Sequence, residues 1–472
     1  MKATKTMLDQ MHQWIDAHQS EIIEELRTFV RIKSVSRADQ AVSRAPYGPQ
    51  MREMLDYALM RGASYGFTVV DHEGHCGSII AGNPNHAIGI FGHLDVVPEG
   101  HDWQWPPYEA TRVGDFVIGR GVSDNKSACV MGLMLMRMVK ELGIKLNHGL
   151  RLVCGCSEET GMADMAYFSK TQIMPEISFV PDMRFPVCYA QKGMMKAHMS
   201  MPIGDFELIS FDGGEAENMV PPKAQASLKL PLDQVKSALS GIEGIAVEGN
   251  DQTSIVSAQG LSAHAAYPYT GRSAINMLAK ALSESGLLSD MPKAAMAAIQ
   301  DLSGNVDGDQ AGIAGEDPET GKTTMVLATI KTNGKKLQLT VDGRLSIAAD
   351  LDQIDHNFSQ YALDKGFMLD NFKIDKPFYM PKDDPRIVAL MDLYKEMTGD
   401  DAPAYTSGGG TYSRALTNAI TFGPGFDGGV PVPEGLIEGH GGAHAPDEYL
   451  HIPSYIRAMK IYAAAIVEVD QL

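Results

Sequence analysis

Six of the acidic or histidine side chains in the first 182 residues stand out, each close to the end of an apolar run or in the turn after one. They are His93 and Asp95 in Gly-His-Leu-Asp-Val-Val-Pro, Asp124 in Arg-Gly-Val-Ser-Asp-Asn-Lys-Ser, Glu158 and Glu159 in Cys-Ser-Glu-Glu-Thr, and Asp182 in Phe-Val-Pro-Asp. Imidazole and carboxylate are ligands for divalent cations, and a cation needs its ligands to converge from distant parts of the chain. Strand ends in an open parallel sheet supply such convergence. The set reads as the two-metal centre of a hydrolase, in which two cations activate one water.

Each residue also has an ordinary role. His93 closes a predicted strand, and Asp95, two positions on, is expected on the same face because strand side chains alternate. There its carboxylate can hold the imidazole in the orientation that a metal needs; the plain alternative is a core histidine beside a turn acid. Asp124 precedes a predicted helix and could cap it, or its two oxygens could serve one cation each. Glu158 and Glu159 end a buried run, where unpaired carboxylates are costly. As neighbours in extended chain they would face opposite ways, one toward a metal and the other toward a water, whereas a solvated loop pair would be inert. Asp182 ends the next apolar run, and three strand ends carrying acids in order favour the metal centre for the set.

The elements that must position these groups alternate between short apolar runs and helices. Residues 88–97 and 149–156 look like strands covered on both faces, and residues 127–142 like a buried helix stopped by Gly143. The first 36 residues carry Leu8, Met11, Ile15, Ile22, Leu26 and Phe29 at the spacing of one or two amphipathic helices. From about Lys196 the texture becomes strand-like alternation with a helix after Gly271, acidic glycine-rich loops follow at 305–310 and 315–321, and helix-and-strand alternation returns after Pro381. The predicted fold is α/β: a catalytic domain with a mainly parallel sheet flanked by helices, plus an inserted α+β lid domain. The boundaries are 1–187 and 381–472 for the catalytic domain and 188–380 for the insertion.

At 472 residues the chain exceeds a single hydrophobic core. A net charge of −19 opposes nucleic acid and anionic membrane surfaces as partners. No stretch approaches the roughly 18 uninterrupted apolar residues of a membrane span, and no signal-peptide apolar region opens the chain. Five cysteines are a sparse, odd set that suits reduced thiols in the cytoplasm. The Cys154-Gly-Cys156 pair is one residue short of the usual metal or redox spacing and reads as buried strand thiols.

Further motifs complete a pattern: Gly92-His-Leu-Asp-Val-Val-Pro98, Gly119-Arg-Gly-Val-Ser-Asp124, Ser157-Glu-Glu-Thr-Gly161, Pro181-Asp-Met-Arg-Phe-Pro186, Asn218-Met-Val-Pro221, Ser262-Ala-His264, Gly408-Gly-Gly-Thr-Tyr-Ser-Arg414 and His444-Ala-Pro-Asp-Glu448. Together they resemble the co-catalytic zinc aminoacylase and carboxypeptidase superfamily of metallopeptidases, and within it the PepV-type dipeptidases, over nearly the whole chain. The resemblance implies two divalent ions bridged by Asp124, one held by His93 and Asp182 and the other by Glu159 and His444. Glu158 becomes the general base and Asp95 the orienting carboxylate, with a cis peptide after Asp124. His440 lies four residues before His444, but only His444 precedes the family's Asp-Glu pair.

The resemblance also assigns Asn218 and His264 to the lid, with His264 stabilising the oxyanion, although a histidine in a polar loop is ordinarily just solvated. Arg344 would clamp the substrate carboxylate with its guanidinium fork, yet its setting, Asp342-Gly-Arg-Leu-Ser346, departs from the Arg-Tyr-Pro usual there. Gly408, Gly409 and Gly410 would let backbone approach the substrate, or form a flexible turn. The implied function is a metal-dependent dipeptidase acting on dipeptides with a free amino terminus. Its cofactor would be a pair of Zn2+ ions, with Mn2+ or Co2+ as the other options. An N-acyl amino acid deacylase or carboxypeptidase would use the same centre, and an inactive peptide- or metal-binding protein would lack the base or the oxyanion donor. The partner is a small peptide substrate, and the large insertion implies a monomer.

Overall fold

The computed structural model describes residues 5–472, so the first four residues assigned to the catalytic domain lie outside the described residues. The chain forms two compact units, one of Met1–Tyr189, Met380–Tyr405 and Thr411–Leu472, the other of Ala190–Tyr379 and Thr406–Gly410. The second is an insertion, and it takes in residues 406–410, which the sequence boundaries had put in the closing catalytic segment.

The first unit is α/β. Its sheet runs in the order Thr68–His72, Cys76–Ala81, Gly149–Gly155, Ala87–His93, Ile177–Val180, Ala419–Phe422, Val187–Gln191. The four strands from Gly149–Gly155 to Ala419–Phe422 are parallel, and antiparallel strands flank them on both sides. Ala87–His93, at the centre, is buried along its whole length, as a strand with helices on both faces must be. Helix Lys126–Glu141 packs against it; a Cβ at Gly92 would stand 3.0 Å from Cys129 Sγ and 3.1 Å from Asn125 Oδ1, so glycine permits that close approach. The amphipathic amino terminus forms two helices, Lys5–Ala17 and Gln19–Arg31, whose Ile22, Leu26 and Phe29 enter the core. All five cysteines are buried and none is joined in a disulfide.

The inserted unit is α+β. Its strands run in the order Ile245–Gly249, Ser254–Gln259, Lys223–Leu228, Leu208–Gly213, Thr324–Asn333, Lys336–Leu345, Gly193–Pro202, Met368–Asp375, every neighbour antiparallel. Met195, Ala197 and Met199 point into the core between partly exposed Lys196 and His198, the alternation of a sheet with one covered face. Helices Ala274–Glu284, Asp290–Gly304 and Leu351–Asp364 supply the cover, through residues such as Ile275, Leu278, Ile299 and Phe358. Among the described residues no helix is long and apolar enough to cross a membrane.

Candidate metal centre

At the carboxyl edge of the parallel strands, five groups from five segments come together. His93 ends its strand, and its Nε2 lies 3.0 Å from Asp124 Oδ1 and 3.8 Å from Asp182 Oδ1. The other Asp124 oxygen, Oδ2, lies 3.1 Å from His444 Nε2, which is also 3.0 Å from Glu159 Oε1. Ligand atoms of His93, Asp124 and Glu159 all lie within 4.8 Å of one another. Asp124 thus presents one oxygen to each histidine, the disposition of a carboxylate shared between two cations. It makes no cap: helix Lys126–Glu141 has Asn125 at its N-cap and no side-chain capping bond. The Asp124–Asn125 peptide is cis, as the resemblance implies.

Two local geometries differ from expectation. The strand stops at His93, so Asp95 lies in the following turn; His93 Nδ1 sits 2.8 Å from the Asp95 backbone oxygen and 3.5 Å from its carboxylate. The carboxylate instead accepts the backbone N–H groups of Glu158 and Glu159, at 3.1 and 3.0 Å. Those two glutamates lie in a turn rather than in extended chain, because the strand before them ends at Gly155. Asp95 therefore orients the imidazole chiefly through its carbonyl and fixes both glutamates through its carboxylate.

Three supporting residues escaped the sequence reasoning. Asn125 donates to Asp182 Oδ1 at 2.6 Å and to the Pro181 carbonyl, and accepts from the His93 backbone N–H. Glu448, fully buried, accepts from Arg120 at 2.8 Å and from the backbone N–H groups of Gly121, Ser123 and Asp124 at 2.9–3.0 Å. It holds the whole turn that presents Asp124, and Arg120 in addition donates to the His444 carbonyl. The third is Asp447, which binds His440 Nδ1 at 2.6 Å while accepting the N–H groups of Gln104 and Trp105. His440 thus anchors the loop, and His444 faces the acids.

The electrostatics call for positive charge. Burial raises the pKa of Glu158, Asp182 and Glu159, and neighbouring carboxylates add to the rise. Burial would also raise Asp124, but hydrogen bonds with His444 and His93 hold it below the usual carboxylate range. His444 is carried up to about 10 by its bonds to Asp124 and Glu159. Burial disfavours the His93 imidazolium, yet bonds to Asp124 and Asp95 outweigh it and raise its pKa well above the ordinary value. Carboxylates crowded out of water around two imidazoles are what divalent cations neutralise, so the donor set fits metal ions. Among the described residues the Glu158 carboxylate has no hydrogen-bond partner, whereas Glu159 is tied to His444. Asp124, Asn125 and Asp182 line one wall of a cavity of about 380 Å³ that also touches His451 and Tyr455.

The inserted unit holds its own polar cluster. Two short strands pair Met219 with His264, and Ala265 N donates to the Asn218 carbonyl, so Asn218 and His264 are neighbours. His264 Nδ1 accepts the Ala266 N–H at 3.1 Å, which leaves Nε2 to carry the proton; burial and then Arg344 lower its pKa and keep it neutral. Arg344 is gripped by Asp342 through Nε and Nη2, at 2.6 and 2.9 Å, and gives Nη1 to the Gly408 carbonyl at 3.1 Å. Asp342 and Arg344 lie two apart in one strand, which puts them on one face, a signal the sequence did carry. A Cβ on Gly408 would stand 2.5 Å from Ala266 Cβ, so close packing accounts for that glycine, and Gly409 N bonds Ser407 Oγ at 3.0 Å. Gly410 closes the same segment of the unit.

Comparison with known proteins identifies a family. A sequence profile described as peptidase family M20/M25/M40 matches residues 89–468. The Bacillus subtilis (strain 168) protein named "Putative dipeptidase YtjP" is 30% identical over 463 residues, covering 95% of this chain and 97% of its own. Human carnosine dipeptidase 1 shares the fold with a TM-score of 0.58 at 14% identity, over 99% of both chains. The Saccharomyces cerevisiae di-peptidase Dug1p does so with a TM-score of 0.58 at 14% identity, over 99% of this chain and 100% of that one. With a profile match over most of its length and a full-length relative at that identity, the chain belongs to peptidase family M20/M25/M40.

Proposed function

We propose that the protein is a metal-dependent dipeptidase that hydrolyses dipeptides with a free amino terminus. The observation that carries this reading is the Asp124 carboxylate shared between His93 and His444, with the unpaired Glu158 carboxylate beside it. His93 and Asp182 would hold one divalent ion and Glu159 and His444 the other, with Asp124 common to both. Such ions, when bound, would supply Lewis acidity, lowering the pKa of a water toward neutrality. Glu158, whose carboxylate makes no hydrogen bond among the described residues, would serve as the general base that accepts a proton from an attacking water and passes it to the leaving amine. Asp95 keeps Glu158 and Glu159 in register through their backbone N–H groups. His264, neutral with its proton on Nε2, suits donation to a developing oxyanion, and the unengaged N–H groups of Arg344 suit the substrate carboxylate. Gly408, Gly409 and Gly410, with Asn218, complete the proposed substrate-binding set.

The name carried by the Bacillus subtilis relative supports dipeptides as the substrate. Zn2+ is the proposed metal. The protein would act as a monomer in the cytoplasm, where its five cysteines, none in a disulfide, would stay reduced. The substrate test compares amino acid release from Ala-Ala-type dipeptides and from their N-acetylated analogues: faster release from the free dipeptides is expected, and preference for the acetylated ones makes the enzyme a deacylase. For the chemistry, Glu158→Gln should retain metal and lose roughly 10²–10⁴ in turnover, while His264→Ala should cost about 3 kcal/mol in kcat/KM. Full turnover in a metal-replete Glu158→Gln protein removes Glu158 from its role.

A further inference from the structure

The parallel strands carry a second convergence at their opposite, amino ends. His86 immediately precedes Ala87–His93, His148 precedes Gly149–Gly155, and Glu176 precedes Ile177–Val180. The register places Ala87 beside Gly149 and Ile88 beside Ile177, so the three preceding side chains emerge at one edge. Backbone bonds from Gly149 N to His86 O and from Glu176 N to Ala87 O fix their bases. His86 Nδ1 lies 2.9 Å from Glu176 Oε1 and His148 Nε2 lies 3.3 Å from Glu176 Oε2. The ligand atoms of the three residues all fall within 4.8 Å of one another. Donors about 2.0–2.2 Å from a tetrahedral Zn2+ stand about 3.3–3.6 Å apart, so small side-chain rotations would seat an ion among them.

A second observation separates this cluster from a surface ion pair. Asp470, whose side chain is 1% exposed, lies 3.1 Å from His148 Nδ1 and also accepts the His148 backbone N–H at 2.9 Å. A buried carboxylate on Nδ1 keeps the proton there and turns the Nε2 lone pair outward, as the partners of metal-bound histidines do. We propose that His86, His148 and Glu176 form a separate binding site for one divalent transition-metal ion, positioned by Asp470 and completed by solvent. Two nitrogen ligands out of three favour Zn2+, Ni2+ or Cu2+ over Mg2+ or Ca2+.

The test uses the full-length protein, stripped with chelator and then dialysed against graded Zn2+, with bound metal counted for wild type, His86→Ala, Glu176→Gln and His148→Ala. At Zn2+ concentrations that saturate wild type, each variant is expected to hold one equivalent less, with dipeptide turnover unchanged. The same equivalent should shift the ring nitrogen resonances of His86 and His148. Equal stoichiometry and affinity in wild type and His86→Ala overturns the proposal. His86 is half exposed and removes no core packing, so the answer does not depend on whether His148→Ala folds. Because the result is a difference between proteins, it stands whether the carboxyl edge takes two ions, one or none.

Discussion

The same three parallel strands carry potential metal ligands at both ends, and the two ends are built differently. At the carboxyl end His93 closes one strand, while Glu158 with Glu159 and Asp182 follow the other two; at the amino end His86, His148 and Glu176 precede them. With Ala87–His93 seven residues long, the two sets stand roughly 20 Å apart. The carboxyl-end groups are mostly withdrawn from water, Asp124 and Asp182 face a cavity, and the set is braced by Asp95, Asn125 and Glu448. The amino-end residues are braced chiefly by Asp470, with His86 and Glu176 about half exposed. Parallel strand ends are sufficient to bring such side chains together, but among the described residues the first end alone adds a carboxylate without a hydrogen-bond partner, Glu158, and an adjoining cavity.

Breaking the brace at the carboxyl end should have the largest effect. Glu448→Ala strands Arg120 in the interior and is expected to cost ~3–5 kcal/mol of stability, read by denaturant unfolding of the chelated protein. It should also release the Asp124 turn, so that metal binds more weakly; an unchanged unfolding midpoint would dismiss Glu448 as a brace. Asp95→Asn keeps every ligand and should weaken metal binding by about 10–100-fold, measured by competition with a chromophoric chelator. Smaller still is His440→Ala, which loosens the loop through Asp447 without touching a ligand: metal affinity should fall less than it does in Asp95→Asn. A loss equal to that of His444→Ala would mean the two histidines have been assigned the wrong way round. At the other end of the sheet, His86→Ala should leave dipeptide turnover at the wild-type level, and a drop in turnover would mean the two ends are coupled.

Of the proposed ligands, His93, Glu159 and Asp182 stood out in the sequence because each lies at or just after the end of an apolar run, Asp124 because it lies in a turn before a helix, and His444 only through the resemblance. The division into a parallel-centred α/β unit and an antiparallel insertion was legible in the change of apolar periodicity near Lys196. The braces were not. Glu448 receives its bonds from residues about 325 positions earlier, and no local pattern announces a carboxylate that collects backbone N–H groups. Asp95 was placed on a strand that in fact stops two residues sooner, so its alternation with His93 was the wrong geometry for a contact made in a turn. Asp342 beside Arg344 was readable from strand spacing, and the departure from the Arg-Tyr-Pro pattern drew attention to the arginine rather than to its acid.

The most direct test strips the wild-type protein with chelator and restores Zn2+, Mn2+ or Co2+ stepwise, following dipeptide hydrolysis and bound metal together, with Asp124→Asn in parallel. Activity should vanish on stripping and return with the ions that Asp124→Asn fails to hold. Full hydrolysis by the stripped protein, or wild-type turnover by Asp124→Asn, would contradict a metal centre bridged by Asp124.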